Sequence, residues 1–244
     1  MVREHLEHGG SRVRPAMTDR LLRDRSFILI DFDGPICSVF AGYPAEVVAQ
    51  ELIELVHDLS SGTDLSGLTD PHDVLRGASA STPSLLADVE QALQRSELAA
   101  VATATPTPGA VDVLHACRRT GRPVAIVSNN CTAAIAAYLN RFELVQFVDH
   151  IEGRYPLDVA LMKPSPYLLH SAMNTLGAAA EKTAFIGDTQ TDIEAAKSAR
   201  VLSVGYANKP GKRERLAAGG ASVVVESMAA LVTPFSTPAR HRAS

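Results

Sequence analysis

From residue 27 onward, short and nearly unbroken apolar runs alternate with longer amphipathic stretches. The runs are 27–32 (Phe-Ile-Leu-Ile-Asp-Phe), 124–128, 183–187, 201–205 and 222–225. Strands this apolar on both sides are covered on both faces of a sheet. Between them, helical spacing recurs over 110–120, 132–141, 166–176, 192–199 and 211–218. Strand and helix in strict alternation predict an α/β fold, a Rossmann-like doubly wound parallel sheet.

The alternation breaks between residues 37 and 107, where no run reads as a strand. Over 44–59, Val47, Val48, Leu52, Leu55, Val56 and Leu59 share one helical face, and over 83–98 Leu85, Leu86, Val89 and Leu93 do the same. A shorter helix is expected near 73–78. This stretch reads as a small α-helical cap domain inserted after the first strand, with Ala104-Thr105-Pro106-Thr107-Pro108-Gly109 as the return linker. The expected organisation is a leader over 1–17, broken by Gly9, Gly10 and Pro15, and a core over 18–36 and 108–231. A helical cap over 37–107 and a frayed tail over 232–244 complete it.

Composition narrows the function classes. The 244 residues amount to one and a half domains at ~150 residues each, which suits one core with a large insertion. Net charge is −4, which speaks against a nucleic-acid partner, and no apolar run approaches the ~18 residues of a membrane span. Cys37, Cys117 and Cys131 form neither a CxxC pair nor a disulfide framework, and the N-terminus lacks the apolar stretch of a signal peptide. A reducing cytoplasm is the expected setting. The spacing leaves the oligomeric state open. Arginine outnumbers lysine 18 to 5, so a lysine in a special context carries information.

Four local motifs carry candidate chemistry. Asp31-Phe32-Asp33-Gly34 ends the first strand, and ligands of open parallel sheets bind beyond strand carboxyl ends. Gly34 lets the chain turn away sharply. Gly187-Asp188 ends another strand, and Asp192 falls in the first turn of the next helix, where the helix dipole favours a carboxylate. Thr191 with Glu194 has capping-box spacing, which leaves Asp188 unexplained. Ser128-Asn129-Asn130 ends the second strand and offers a hydroxyl and backbone N–H groups to an anion. Lys163 precedes Ser165, a candidate N-cap, and Pro166, a candidate first helical residue. Taken singly, each has a plain alternative: an Asp-rich turn, a helix cap, simple N-caps, a solvent-facing lysine. Together, four carboxylates at one sheet edge would repel one another, and Mg²⁺ with hard oxygen ligands resolves the repulsion.

With these motifs in this order, the chain resembles the haloacid dehalogenase-like hydrolase superfamily, most members of which are phosphatases. The resemblance covers nearly all of 27–231 and implies a helical C1-type cap between the first and second motifs. It implies that Asp31 attacks phosphorus to form an aspartyl-phosphate. Asp33 then protonates the leaving oxygen and afterwards deprotonates the hydrolytic water. It further implies that Mg²⁺ is held by Asp31, the backbone carbonyl of Asp33 and Asp188, with Asp192 supporting through water or as a ligand. Ser128 and Asn129 would hold a phosphoryl oxygen, with Gly34 also placed at the substrate, and Lys163 would neutralise nucleophile and phosphate. The chain departs from the family's usual pattern at Pro35, where threonine commonly stands.

The leading expectation is a Mg²⁺-dependent phosphatase acting on a small phosphorylated metabolite. A sugar phosphomutase of the same superfamily would carry the same motifs. A phospho-receiver or binding module also has an acidic cluster, but needs neither Asp33 nor the ~70-residue helical insertion. Candidate substrate contacts are Asp70-Pro71-His72-Asp73 and the flap over 37–43. Arg76 reads either as a partner for a second anionic group of the substrate or as an ordinary surface arginine.

Overall fold

The computed structural model describes residues 15–60 and 62–239. In chain order the first elements are α1 (Pro15–Arg23), β1 (Phe27–Ile30), β2 (Cys37–Ser38), α2 (Ala45–Leu59), α3 (Pro71–Ser81), α4 (Leu86–Val101) and β3 (Thr105–Pro106). Then come α5 (Ala110–Arg119), β4 (Val124–Val127), α6 (Thr132–Arg141), β5 (His150–Glu152), α7 (Tyr167–Leu176) and β6 (Thr183–Gly187). The chain closes with α8 (Gln190–Ser198), β7 (Leu202–Tyr206), α9 (Lys212–Ala218), β8 (Val223–Val225) and α10 (Val232–Phe235).

Six strands form one parallel sheet in the order β5-β4-β1-β6-β7-β8. The sheet is the doubly wound one that the alternation predicts, and its alternating side chains separate two apolar layers. Ile28, Ile30, Ile126 and Ile186 pack on one face, with α5 and α6; Leu29, Val127 and Phe185 pack on the other, with α7 and α8. After β1 the chain builds β4 and β5 to one side, then crosses to β6, β7 and β8 on the other. The topological switch point therefore lies at β1, between its neighbours β4 and β6.

Helices α2, α3 and α4 pack on one another around Val48, Leu52, Val56, Val74, Leu75, Val89 and Leu93, joined by Met162 from the segment just before Lys163. Val47 and Leu59, placed on the apolar face by spacing, are 44% and 52% exposed. The buried stripe runs through Val48, Leu52 and Val56 at intervals of four, and those two residues flank it. Helix α4 continues past this cluster, and its Ala100 and Val101 join the sheet-side core.

Several details differ from the sequence expectation. Strand β5 was not expected: three residues, two of them polar, give no apolar run, and only pairing with β4 defines it. The two-residue strands β2 and β3 pair antiparallel within a stretch expected to hold no strand. Helix α1 begins at Pro15, inside the expected leader, whose residues 1–14 lie outside the described ones. The expected tail is ordered at its start, because Phe235 is fully buried. The buried Arg122 guanidinium donates to the carbonyls of Phe235 and Thr237 at 2.8 and 2.7 Å, and to that of Arg25 at 2.8 Å. That cation satisfies its donors only by holding both ends of the core together. Residues 240–244 lie outside the described ones.

Candidate active site

Asp31, Ser128 and Asp188 follow directly on β1, β4 and β6, three adjacent strands, so the sheet order alone brings them to one edge. They line a cavity of about 310 Å³ with Asp33, Asn129, Asn130, Lys163 and Thr189; the cap contributes Asp70, His72, Asp73 and Arg76.

The turn after β1 is held by backbone bonds. Gly34 N donates to Cys37 O at 2.7 Å, and the nitrogens of Ile36 and Cys37 both donate to Phe32 O at 3.2 Å. The Thr107 hydroxyl donates to the Gly34 carbonyl. Pro35 is buried in this turn and its missing donor goes unneeded, since its neighbours make every bond. Gly34 has φ +100, a conformation that favours glycine.

Asp31 Oδ1 accepts from Phe32 N and from Lys163 Nζ, both at 2.8 Å, leaving Oδ2 without a protein hydrogen bond among the described residues. Burial pushes its carboxyl pKa up, the Lys163 ammonium pulls it back, and the Asp192 carboxylate raises it again; the net direction is up. The Asp33 carboxylate accepts from Val39 N at 2.9 Å, and burial raises its pKa to about 6 against that bond.

Lys163 is buried, and its ammonium lies 2.8 Å from Asp31 and 2.7 Å from Asp192. Burial alone would lower its pKa, but Asp192 and Asp31 outweigh burial and raise it, so the cation is retained. Its backbone is clasped by Asn129: Lys163 N donates to Oδ1 at 2.8 Å, and Nδ2 donates to Lys163 O at 3.3 Å. Arg76 donates to the same carbonyl at 2.7 Å while pairing with Asp73 at 2.8 Å. It is thus a bridge from the cap to Lys163 at the rim of the cavity. Helix α7 starts at Tyr167, one residue later than expected, with Ser165 Oγ accepting from Tyr167 N.

Asp192 makes the capping box of α8, with Thr189 as its partner; Thr191 and Glu194, the expected pair, do not form it. Its Oδ2 accepts from Asp188 N at 3.1 Å, from Thr189 N at 3.0 Å and from Thr189 Oγ1 at 2.6 Å. Its Oδ1 faces only Lys163. Asp188 accepts from Asn208 at 3.0 Å and pairs with Lys212. Burial raises the Asp188 pKa, and the Lys212 ammonium opposes that rise. Asp31, Asp188 and Asp192 each place a carboxylate oxygen within 4.8 Å of the others. Such a set of hard oxygen donors fits a divalent cation. Within it, Asp192 is the most engaged by protein partners.

No sequence motif marks Asn208 and Lys212, which hold Asp188, or the cap–core cluster of Glu90, Glu97 and Arg154. Glu90 and Glu97 did leave a signal. They continue the Leu86–Leu93 stripe at helical spacing, and a carboxylate on an apolar face demands a buried partner.

A parallel α/β core with an acidic cluster at its switch point and a helical insertion over that edge defines the class. A family model described as haloacid dehalogenase-like hydrolase matches residues 27–200, and the chain belongs to that family. It is 28% identical to a phosphoglycolate phosphatase of Pseudomonas putida over 161 residues, which cover 63% of this chain and 58% of that protein. It is 28% identical to the Escherichia coli K12 phosphoglycolate phosphatase over 131 residues, covering 54% and 51%. The chain thus spans little more than half the length of these curated relatives. Among solved structures, CbbY from Rhodobacter sphaeroides, in complex with phosphate, superposes with a TM-score of 0.64 at 21% identity, covering 84% of this chain and 95% of that one. A haloacid dehalogenase-like family protein from Streptococcus pneumoniae gives 0.62 at 17%, covering 87% and 99%. These two likenesses concern the fold. No described helix is long and apolar enough to cross a membrane.

Proposed function

We propose that this protein is a Mg²⁺-dependent phosphatase that hydrolyses a small phosphorylated metabolite through an aspartyl-phosphate. The observation that carries the reading is Asp31 at the switch point, with Lys163, Ser128, Asn129 and Asp188 around one cavity. Oδ2 of Asp31 attacks phosphorus and the bond to the leaving oxygen breaks. Asp33 gives its proton to that oxygen, which a pKa of about 6 makes feasible near neutrality. The same carboxylate then takes a proton from water, whose oxygen attacks phosphorus and releases Asp31 and inorganic phosphate. Ser128 and Asn129 hold the phosphoryl oxygens, and Lys163 offsets charge on Asp31 and the phosphoryl group. A Mg²⁺ ion bound by Asp31, the Asp33 carbonyl and Asp188 supplies charge stabilisation to the transferring group.

The buried, unpaired cysteines suit a reducing compartment, and the reading includes a cytoplasmic location. Phosphoglycolate, the ester in the relatives' names, is a natural first assay among sugar, nucleotide and other small phosphate esters. The test is hydrolysis of p-nitrophenyl phosphate with and without Mg²⁺. Turnover should need the metal and vanish in Asp31→Asn; full activity in that variant overturns the scheme.

A further inference from the structure

Glu97 lies fully buried in the last turns of α4, and its two oxygens meet three separate segments. Oε1 accepts from Arg154 Nη1 at 2.8 Å and from Asn130 Nδ2 at 3.2 Å, and lies 3.3 Å from His72 Nε2. Oε2 accepts from Cys131 N at 3.0 Å and from Arg154 Nη2 at 3.2 Å. Cys131 is the N-cap residue of α6 and makes no side-chain cap. Glu97 thus brings an acidic acceptor from the cap insertion to that helix start.

Arg154, equally buried, completes the link. Nη1 also donates to the Asn129 carbonyl, and its backbone N donates to Asn130 O at 2.9 Å. Nε and Nη2 grip Glu90 on α4 at 3.0 and 2.9 Å. Residues 129–131 therefore receive contacts from Glu97 and Arg154, which do not line the cavity, while Ser128, Asn129 and Asn130 do. A buried ion cluster adds little net stability over a well-packed apolar interface. What it supplies here is direction: each bond aims at one residue of this loop.

We propose that Glu97 and Arg154 are positioning residues that make the phosphoryl seat at Ser128–Asn130 conditional on docking of α4 against the core. The inference rests on the reading of that loop as the phosphoryl seat. Withdrawing α4 leaves Asn130 Nδ2, Cys131 N and the Arg154 fork without Glu97, so the loop loses its fixed geometry. The seated phosphoryl group and the docked cap are then one state, which is how a closing element commits a substrate.

The test uses the full chain with Mg²⁺, reading inorganic phosphate affinity by calorimetry and kcat and KM on p-nitrophenyl phosphate. Glu97→Gln and Arg154→Met should each weaken phosphate binding about tenfold and lower kcat by about 10- to 100-fold. Arg154→Lys keeps the charge without the fork and should recover part of that loss. Phe235→Leu, in the core and outside the cavity lining, should lower Tm while phosphate affinity and kcat stay within about twofold. If Glu97→Gln does not fold, the contrast of Arg154→Lys with Arg154→Met carries the test. Equal phosphate affinity and kcat in the seat-side variants and Phe235→Leu, with only Tm changed, overturns the inference and leaves the phosphatase reading standing. A wild-type chain that neither binds phosphate nor turns over the ester overturns that reading, and this inference with it.

Discussion

Gly34 presses its bare α-carbon against the Asp188 carboxylate: a Cβ built there would sit 2.5 Å from Asp188 Cγ. The contact joins the turn after β1 to the end of β6, across the mouth of the site. Gly34→Ala faces that clash and a φ of +100 together. We expect stability to fall by about 1–3 kcal/mol and kcat/KM by about a hundredfold, as Asp188 moves off its position. Urea melts and steady-state kinetics check both. Wild-type kinetics in this variant would mean that the turn tolerates displacement.

Lys163 holds Asp31 and Asp192 in one buried group. Lys163→Met leaves two carboxylates facing each other without a cation. The expected cost is about 3–5 kcal/mol, as for removing one partner of a buried pair, along with loss of turnover. Chemical denaturation measures the first. An unchanged midpoint would contradict the pairing.

The raised Asp33 pKa sets a pH dependence. In the proposed scheme the first step needs its protonated form, so kcat/KM for an alkyl phosphate should fall as pH rises through about 6. An aryl phosphate with a good leaving group should show little of that limb. Asp33→Asn should remove the limb and cost about 10²- to 10⁴-fold with the alkyl ester. A limb that persists in Asp33→Asn assigns the proton elsewhere.

The cap–core cluster links stability to pH on both sides. Burial would raise the Glu97 pKa, but Arg154 outweighs it and holds the group at about 2, below its ordinary 4.5. That contribution is complete above about 4.5 and is lost as pH falls toward 2. Burial would lower the His72 pKa, but Asp70 and Glu97 outweigh it and raise it to about 9 from 6.5. That contribution is complete below about 6.5 and is lost as pH rises through about 9. Tm should therefore peak between these limits, with a change of about 2–4 °C per kcal/mol. His72→Asn should flatten the alkaline side most and soften the acid side less, since the His72 imidazolium also helps Arg154 hold the Glu97 carboxyl down. A symmetric loss on both sides would place the linkage in other groups.

Much of the site was legible because its chemistry sits at strand ends. Asp31, Ser128 and Asp188 each follow an apolar run, and local patterning both defines the run and marks where it stops. The helical insertion was legible for the same reason, since stripes at helical spacing announce themselves locally. Asp192 was read correctly as a first-turn carboxylate but its capping partner was misplaced, because spacing alone does not say where a helix begins. Strand β5 left no trace, since three residues carry too little periodicity.

By itself the sequence determined the longer elements, their alternation and the carboxylates that end them, because those depend on neighbours a few residues apart. Tertiary structure decided that Glu97 reaches Arg154 across 57 positions and Arg76 reaches Lys163 across 87. Nothing in the local pattern encodes these pairings. They follow from where the cap helices come to rest on the sheet edge, and that is set by the packing of Met162 and the α4 stripe over many weak contacts at once.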